Sequence, residues 1–274
     1  MVVPEKQAES PDRDPSAVAA RFYSYPMREF GLIGRSLGHS FSQTYFTQKF
    51  HDLGLTDCCY GLFELATAAE LPALLRANPG LRGLNVTVPY KEEVWTFLNE
   101  VVPAAARIGA VNVIDVRPDG RLVGHNTDYI GFRESLRRFF PSRGPGAPAL
   151  VLGMGGAAKA VGAALHDLGI PYQLVGRRPG GPGLTYADLT PEVLVAHPLI
   201  INATPVGTFP YVDEAPDLLY GTLTPGHYLY DLVYNPRETT FMARGQAAGA
   251  HVKNGFEMLC LQAEAAWNIW NPPA

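Results

Sequence analysis

The stretch Ala149-Leu150-Val151-Leu152-Gly153-Met154-Gly155-Gly156-Ala157-Ala158-Lys159-Ala160-Val161 decides the fold of this 274-residue chain. Four apolar residues read as a buried strand, the glycines as a tight turn, and the following run as a helix that stops at Gly169. A second apolar run over 172–175 closes a βαβ unit of roughly thirty residues, the context in which such a glycine pattern signals dinucleotide binding. Gly153 gives the turn, Gly155 lets a pyrophosphate approach the backbone, and free N–H groups at the helix start bind it. The end of the second strand selects the cofactor. An NAD site carries an Asp or Glu there for the ribose 2′-hydroxyl. Here the residues are Val175-Gly176-Arg177-Arg178, and no acid lies between Tyr172 and Thr185. Two arginines suit a 2′-phosphate, which favours NADP. Two solvated loop arginines would explain the charges but not the missing acid.

Downstream the βα pattern continues. Residues 188–196 read as a helix and 199–202 as a strand, with Ala203-Thr204-Pro205-Val206-Gly207 at its carboxyl end, where open α/β sheets bind ligands. Residues 228–233 read as a strand, 239–248 as a helix and 256–270 as a last amphipathic helix. Met258, Leu261, Ala265 and Ile269 form its expected core stripe. Gln262 adjoins that stripe and reaches a pocket or lies at its edge.

Upstream, 30–34 is a strand that breaks at glycine, and Tyr45, Phe46, Phe50 and Leu53 recur at helical spacing. Ser42 is placed to cap that helix; alternatively Ser40 and Ser42 aim two hydroxyls into a pocket. Residues 58–65 read as a strand, and Thr67-Ala68-Ala69-Glu70 as a capping box. Leu84, Val86 and Val88 form a short buried strand that stops at Pro89, a residue suited to a helix's first turn. Thr87 and Lys91 then stand at a strand-to-helix junction. Lys91 is either a solvated first-turn lysine or a partly desolvated one, and desolvation favours the neutral form that accepts a proton. Pro103 starts a short helix, and 110–116 and 121–125 form a hairpin around Pro118-Asp119-Gly120. Asp128 opens the next helix, either as a carboxylate facing the macrodipole or as a catalytic group at a strand end. The alternation argues for a largely parallel sheet with helices on its faces.

Bulk properties set the class. Apolar residues make up 47% and charged residues 18% of the chain, which is ordinary for a globular protein, and the net charge of −4 offers no basic field for nucleic acid or an anionic membrane. No run is apolar enough for a membrane span, and no basic-then-apolar leader opens the chain, so a cytoplasmic location is expected. Three cysteines, with Cys58 and Cys59 adjacent, fit a reduced compartment. Seven histidines without paired spacing suggest no metal site. Residues 1–26, rich in Pro, Ser, Ala and charge, read as a flexible extension.

Eight segments in series resemble the shikimate dehydrogenase family over residues 30–270: GLIGRSLGHSFSQ (31–43), LNVTVPYKEEV (84–94), IGAVNVI (108–114), GHNTDYIGF (124–132), LGMGGAAKA (152–160), NATPVG (202–207), YDLVYNP (230–236) and KNGFEMLCLQA (253–263). The resemblance implies reversible NADPH-dependent reduction of 3-dehydroshikimate to shikimate. It implies Lys91 as the proton-shuttling residue with Asp128 as its carboxylate. Ser40 and Ser42 would hold the substrate carboxylate, Thr87, Asn112 and Gln262 the ring hydroxyls, and Tyr234 would line the site. Gly153, Gly155, Gly156 and Ala157 match the pyrophosphate loop, Arg177 the 2′-phosphate arginine, and Gly255 and Met258 positions beside the nicotinamide. Family members often read Asn-Arg-Thr where this chain has Gly176-Arg177-Arg178, and many have Met where it has Thr208.

The expected architecture is α/β: a substrate domain over 27–127 with 256–274 folded back onto it, and a Rossmann-type doubly wound domain over 128–255. Two other functions fit the same scaffold, an NAD-preferring quinate/shikimate dehydrogenase and a non-catalytic binding regulator. The absent acid after Val175 speaks against the first, and Lys91 with Asp128 against the second. Monomer and homodimer are not distinguished.

Overall fold

The computed structural model describes residues 27–38, 40–140, 147–181 and 183–272. The extension expected over 1–26 lies outside the described residues.

The chain builds two six-stranded sheets in succession. The first contains β1 (Arg28–Gly34), β2 (Cys58–Glu64), β3 (Leu81–Val86), β4 (Glu100–Val101), β5 (Val113–Val116) and β6 (Leu122–His125), in spatial order β2-β1-β3-β5-β6-β4. β1, β2 and β3 run parallel, and the β5–β6 hairpin makes β5 antiparallel to both its neighbours. The hairpin needs only the turn at Pro118-Asp119-Gly120, whereas the parallel strands are joined through α1 (Phe41–Asp52) and α2 (Leu71–Ala77). The Thr67–Glu70 capping box forms as its sequence suggests, opening a 3-10 turn that leads into α2. α3 (Pro103–Ile108) follows β4 and starts on its proline.

The second sheet is wholly parallel. It contains β7 (Ala149–Leu152), β8 (Tyr172–Gly176), β9 (Leu184–Thr185), β10 (Leu199–Asn202), β11 (Tyr228–Asp231) and β12 (His251–Lys253), in order β12-β11-β10-β7-β8-β9. Counted from β7, this is the 3-2-1-4-5-6 order of a doubly wound sheet, and the order reverses between β7 and β10. All four residues of β7 and of β10 are buried, as strands covered on both faces require. α4 (Asp128–Phe139) and α5 (Gly156–Asp167) cover one face, where Phe132, Leu136 and Val161 meet Val151 and Ile201. α6 (Pro191–Ala196) and α7 (Thr240–Ala247) cover the other, where Leu194 and Phe241 meet Leu150 and Ile200.

The last helix, α8 (Phe256–Trp270), returns to the first sheet. Its Ala263, Ala266 and Trp270 share a core with Phe30 of β1 and Phe46 of α1, and Trp270 Nε1 donates to the Ile114 carbonyl at 3.1 Å. α8 also crosses α4 closely. A Cβ at Gly131 would stand 2.5 Å from the Met258 carbonyl oxygen, so only glycine permits this approach.

Three local expectations are corrected. The buried face of α8 is Met258, Gln262, Ala263, Ala266 and Trp270, while Leu261, Ala265 and Ile269 are only partly buried. The helix is wedged between α4 and the first sheet, and this rotates the polar Gln262 inward. Lys91 does not lie on a helix. Tyr90 N bonds Thr87 O at 3.0 Å and Lys91 O accepts from Val111 N at 2.7 Å, so the backbone is committed to a turn before a 3-10 segment at Glu93–Phe97. Ser42 does not cap α1. Ser40 occupies the N-cap position, and its side chain makes no capping bond.

Candidate active site

Alternation along β3 places Asn85 and Thr87 on the same side of the chain, and the turn that follows lifts Lys91 over the sheet's edge. Asp128 begins α4, directly after the β6 strand. The two meet: Lys91 Nζ donates to Asp128 Oδ2 at 2.5 Å, with side chains 20% and 16% exposed. Such a pair fixes the ammonium's direction while one edge stays open to a ligand.

The groups around it are braced from below. Thr127 N donates to Asn112 Oδ1 at 2.6 Å, and Asn112 Nδ2 donates to Thr127 Oγ1 at 3.1 Å. Asn126 Nδ2 donates to the Ala110 carbonyl, and Asn126 Oδ1 accepts from Tyr129 N, so the start of α4 is pinned to the segment between α3 and β5. Gln262 arrives from α8, within 3.4 Å of Thr127 Oγ1, with its amide on the Leu259 carbonyl.

These side chains line one cavity of about 500 Å³. Ser40, Ser42, Thr87, Lys91, Asn112, Asp128, Tyr234 and Gln262 all face it. Every substrate-side residue expected from the sequence is therefore brought to a single place, from the start of α1, the turn after β3, the segments before β5 and after β6, the loop after β11, and α8. Ser40 Oγ is buried without a hydrogen-bond partner among the described residues, which is a costly state unless a ligand supplies one. Burial raises the Tyr60 phenol well above its ordinary pKa, against a smaller opposing hydrogen bond from Ser42. Its hydroxyl stays protonated and donates to Asn85 Oδ1 at 2.6 Å.

Asn85 is a pocket residue that sequence reasoning missed. It stands two positions before Thr87 on a strand, and that spacing alone marks the two as neighbours on one side. A larger cavity of about 950 Å³ adjoins, sharing Gly38, Ser40, Phe41 and Tyr234, with Arg237 as the one charged residue among its described lining. That lining holds no pair able to move a proton, so the chemistry belongs to the smaller pocket.

A third cavity, about 470 Å³, opens where the second sheet's order reverses. Gly153, Met154 and Gly155 line one side, Ala203 to Val206 the other, and Val175 to Arg178 with Tyr186 close the end. Gly153 has φ of 117°, a conformation that side-chain-bearing residues rarely adopt. A Cβ added at Gly155 or Gly156 would meet nothing within 4 Å, leaving a bare cradle at the N-terminus of α5. That cradle, the two arginines and the absence of a carboxylate at the strand end fit a dinucleotide with a 2′-phosphate. Burial raises the Tyr186 phenol, and the Arg177 guanidinium nearby opposes that rise. A Cβ at Gly176 would stand 2.7 Å from Met154 Sδ, so Met154 fills the space beside this glycine. Gly156 and Ala157 form the first turn of α5, behind this cavity. Gly255 and Met258 do not line it: both are buried at the start of α8, where a Cβ on Gly255 would meet Leu232 O at 2.2 Å.

Comparison with known proteins agrees with this arrangement. The profile of the shikimate dehydrogenase substrate binding domain matches residues 32–114. A shikimate dehydrogenase (NADP(+)) of Moorella thermoacetica is 39% identical over 266 residues, covering 87% of this chain and 86% of the relative. The crystal structure of the Thermus thermophilus shikimate 5-dehydrogenase in complex with NADP(H) and shikimate superposes with a TM-score of 0.79 at 32% identity, over 90% of this chain and 94% of that one. A quinate dehydrogenase from Corynebacterium glutamicum in complex with NAD also superposes at 0.79, with 28% identity over 91% and 95% of the two chains.

Proposed function

The chain belongs to the shikimate dehydrogenase family, and from that premise we propose how its residues carry the family's reaction. It is an NADP-dependent oxidoreductase that interconverts 3-dehydroshikimate and shikimate. The observation that carries the assignment of roles is the Lys91–Asp128 pair, 2.5 Å apart inside a pocket lined with hydroxyls and amides.

Bound NADPH supplies the hydride to the ring carbonyl carbon. Lys91 hands a proton to the carbonyl oxygen in reduction and takes the hydroxyl proton in oxidation. Asp128 aims the ammonium and compensates its charge. Ser40 and Ser42 receive the substrate carboxylate, and the orphaned Ser40 hydroxyl supports that placement. Asn85, Thr87, Asn112 and Gln262 address the ring hydroxyls, and Tyr234 closes the pocket's mouth. Arg177, with Arg178 beside it, takes the 2′-phosphate; Gly153 and Gly155 face the pyrophosphate, and Gly156 and Ala157 open the helix that receives it. Gly255 and Met258 act from behind, setting the start of α8 against the cofactor side. We read residues 27–127 with 256–274 as the substrate domain and 128–255 as the cofactor domain, a division supported by the two separate sheets and by the Trp270 side of α8. No helix among the described residues is long and apolar enough to cross a membrane.

The test is formation of reduced nicotinamide with shikimate or quinate and with NADP or NAD in turn. Fast reduction of NADP with shikimate is expected. Arg177→Gln should weaken NADP about 10- to 100-fold while leaving NAD within a few-fold, as loss of one charge-assisted phosphate contact implies. Preferential use of NAD by the unaltered chain would overturn the role given to Arg177. Failure with every pair would leave the regulator reading.

A further inference from the structure

The helix that cradles the dinucleotide is tied at both of its ends to segments outside its own sheet. At its last residue, Asp167 receives both Arg107 nitrogens from α3, at 2.8 and 2.9 Å, and the Tyr129 hydroxyl from α4. Arg107 foremost, then Tyr129, holds that carboxyl far below the usual range. At its first turn, Lys159 Nζ donates to Glu92 Oε1 at 2.6 Å. Glu92 is the residue directly after Lys91.

The turn carrying Lys91 therefore has anchors on two sides. Tyr90 donates its hydroxyl to the Leu65 carbonyl, and Lys91 O accepts from Val111 N, both within the first sheet's layer. Lys91 and Glu92 then reach across, one to Asp128 and the other to Lys159. Lys159 and Glu92 are 42% and 57% exposed, and exposed ion pairs add little to stability. Their place, not their strength, gives them a role: Lys159 stands in the turn whose N–H groups face the cofactor's pyrophosphate, and its own N–H bonds the Gly155 carbonyl at 3.1 Å.

We propose that Glu92 and Lys159 are a positioning pair that ties the turn carrying Lys91 to the dinucleotide helix, so that cofactor binding and the placement of Lys91 are coupled. The inference rests on the reaction assigned above. An anionic pyrophosphate at the start of α5 orders that turn, Lys159 draws Glu92 with it, and Lys91 is held over the substrate. Neither side chain touches the reacting atoms.

Glu92→Gln is the decisive variant, because Glu92 lines neither the pocket holding Lys91 nor the dinucleotide cavity. It should lower kcat about five- to tenfold, the size of effect seen along coupling networks, with the Kd for NADP within about twofold of the unaltered protein. NADPH and shikimate form an unreactive pair, so shikimate affinity can be measured with and without NADPH. NADPH should tighten shikimate several-fold in the unaltered protein and leave it unchanged in Glu92→Gln, a coupling that must be reciprocal. The Glu92→Gln/Lys159→Gln double variant should have the kcat of Lys159→Gln alone, and Lys159→Arg should recover most of it. Melting temperatures should not move. Losses that multiply in the double variant, or a Glu92→Gln protein with full kcat and full coupling, would overturn the pair's role. An unaltered protein that does not oxidise shikimate would instead overturn the reaction reading, and the pair's role with it.

Discussion

Lys91 illustrates what a single residue gains from its surroundings. Its side chain is 20% exposed, directed by Asp128, and set in a pocket lined by neutral polar and apolar residues. If it only moves a proton, Lys91→Ala should lower kcat by about 10²–10⁴ with little change in KM. A comparable rise in KM would instead give it a binding role. The resemblance already pointed at the eight substrate-side positions; most stand near the start or end of an element, while Gln262 lies midway along α8. Asn85 escaped that reading because it lies within β3, and the strand's side that faces the pocket is set by the sheet and not by the motif.

At the scale of elements, α8 shows how packing overrides pattern. Its apolar residues are abundant enough to suggest several stripes, and burial between α4 and the first sheet selects the one containing Gln262. Gly131 is the contact that lets this happen. Gly131→Ala should push α8 away from α4 and cost about 1–3 kcal/mol, as overpacking does. Because Gln262 and Met258 ride on the displaced turn, kcat should fall as well, by more than stability alone accounts for. A variant with lowered melting temperature and unchanged kcat would separate the packing from the site. The turn at Lys91 teaches the same lesson: Pro89 admits a helix start, but the Lys91 carbonyl is claimed by Val111 across the sheet, so a helix cannot begin there.

At the scale of the whole molecule, the buried Asp231 at the end of β11 links the cofactor sheet to pH. Burial raises its carboxyl to about 6, against hydrogen bonds from Thr239, Val233 N and Asn202. A carboxyl bound more tightly to its proton when folded favours the fold below its ordinary value of 3.8, and loses that advantage as pH rises through about 6. The shift corresponds to on the order of 3 kcal/mol. Asp231→Asn, whose amide oxygen can accept from Asn202 and Val233 N while its NH2 donates to the Thr239 hydroxyl in a reversed bond, should therefore gain stability relative to the unaltered protein between pH 4 and pH 7. Glu257 acts in another window: burial works against its ionisation, but Lys253, Ser135 and Arg138 outweigh this and bring it to about 2, so its contribution is lost only as pH falls below its ordinary value of 4.5. A difference between the two proteins that stays flat from pH 4 to pH 7 would remove Asp231 from this account.

The sequence by itself determined the two α/β layers, the strand–glycine–helix cradle and the missing acid after β8. Each of these is local: hydrophobic period, a turn that requires glycine, or a residue type at a strand end. Only the tertiary structure decided which face of α8 is buried, that Lys91 stands on a turn, that Met154 fills the space beside Gly176, and that Glu92 reaches Lys159. All four depend on contacts between segments far apart in the chain, and no local pattern encodes where a distant side chain will arrive.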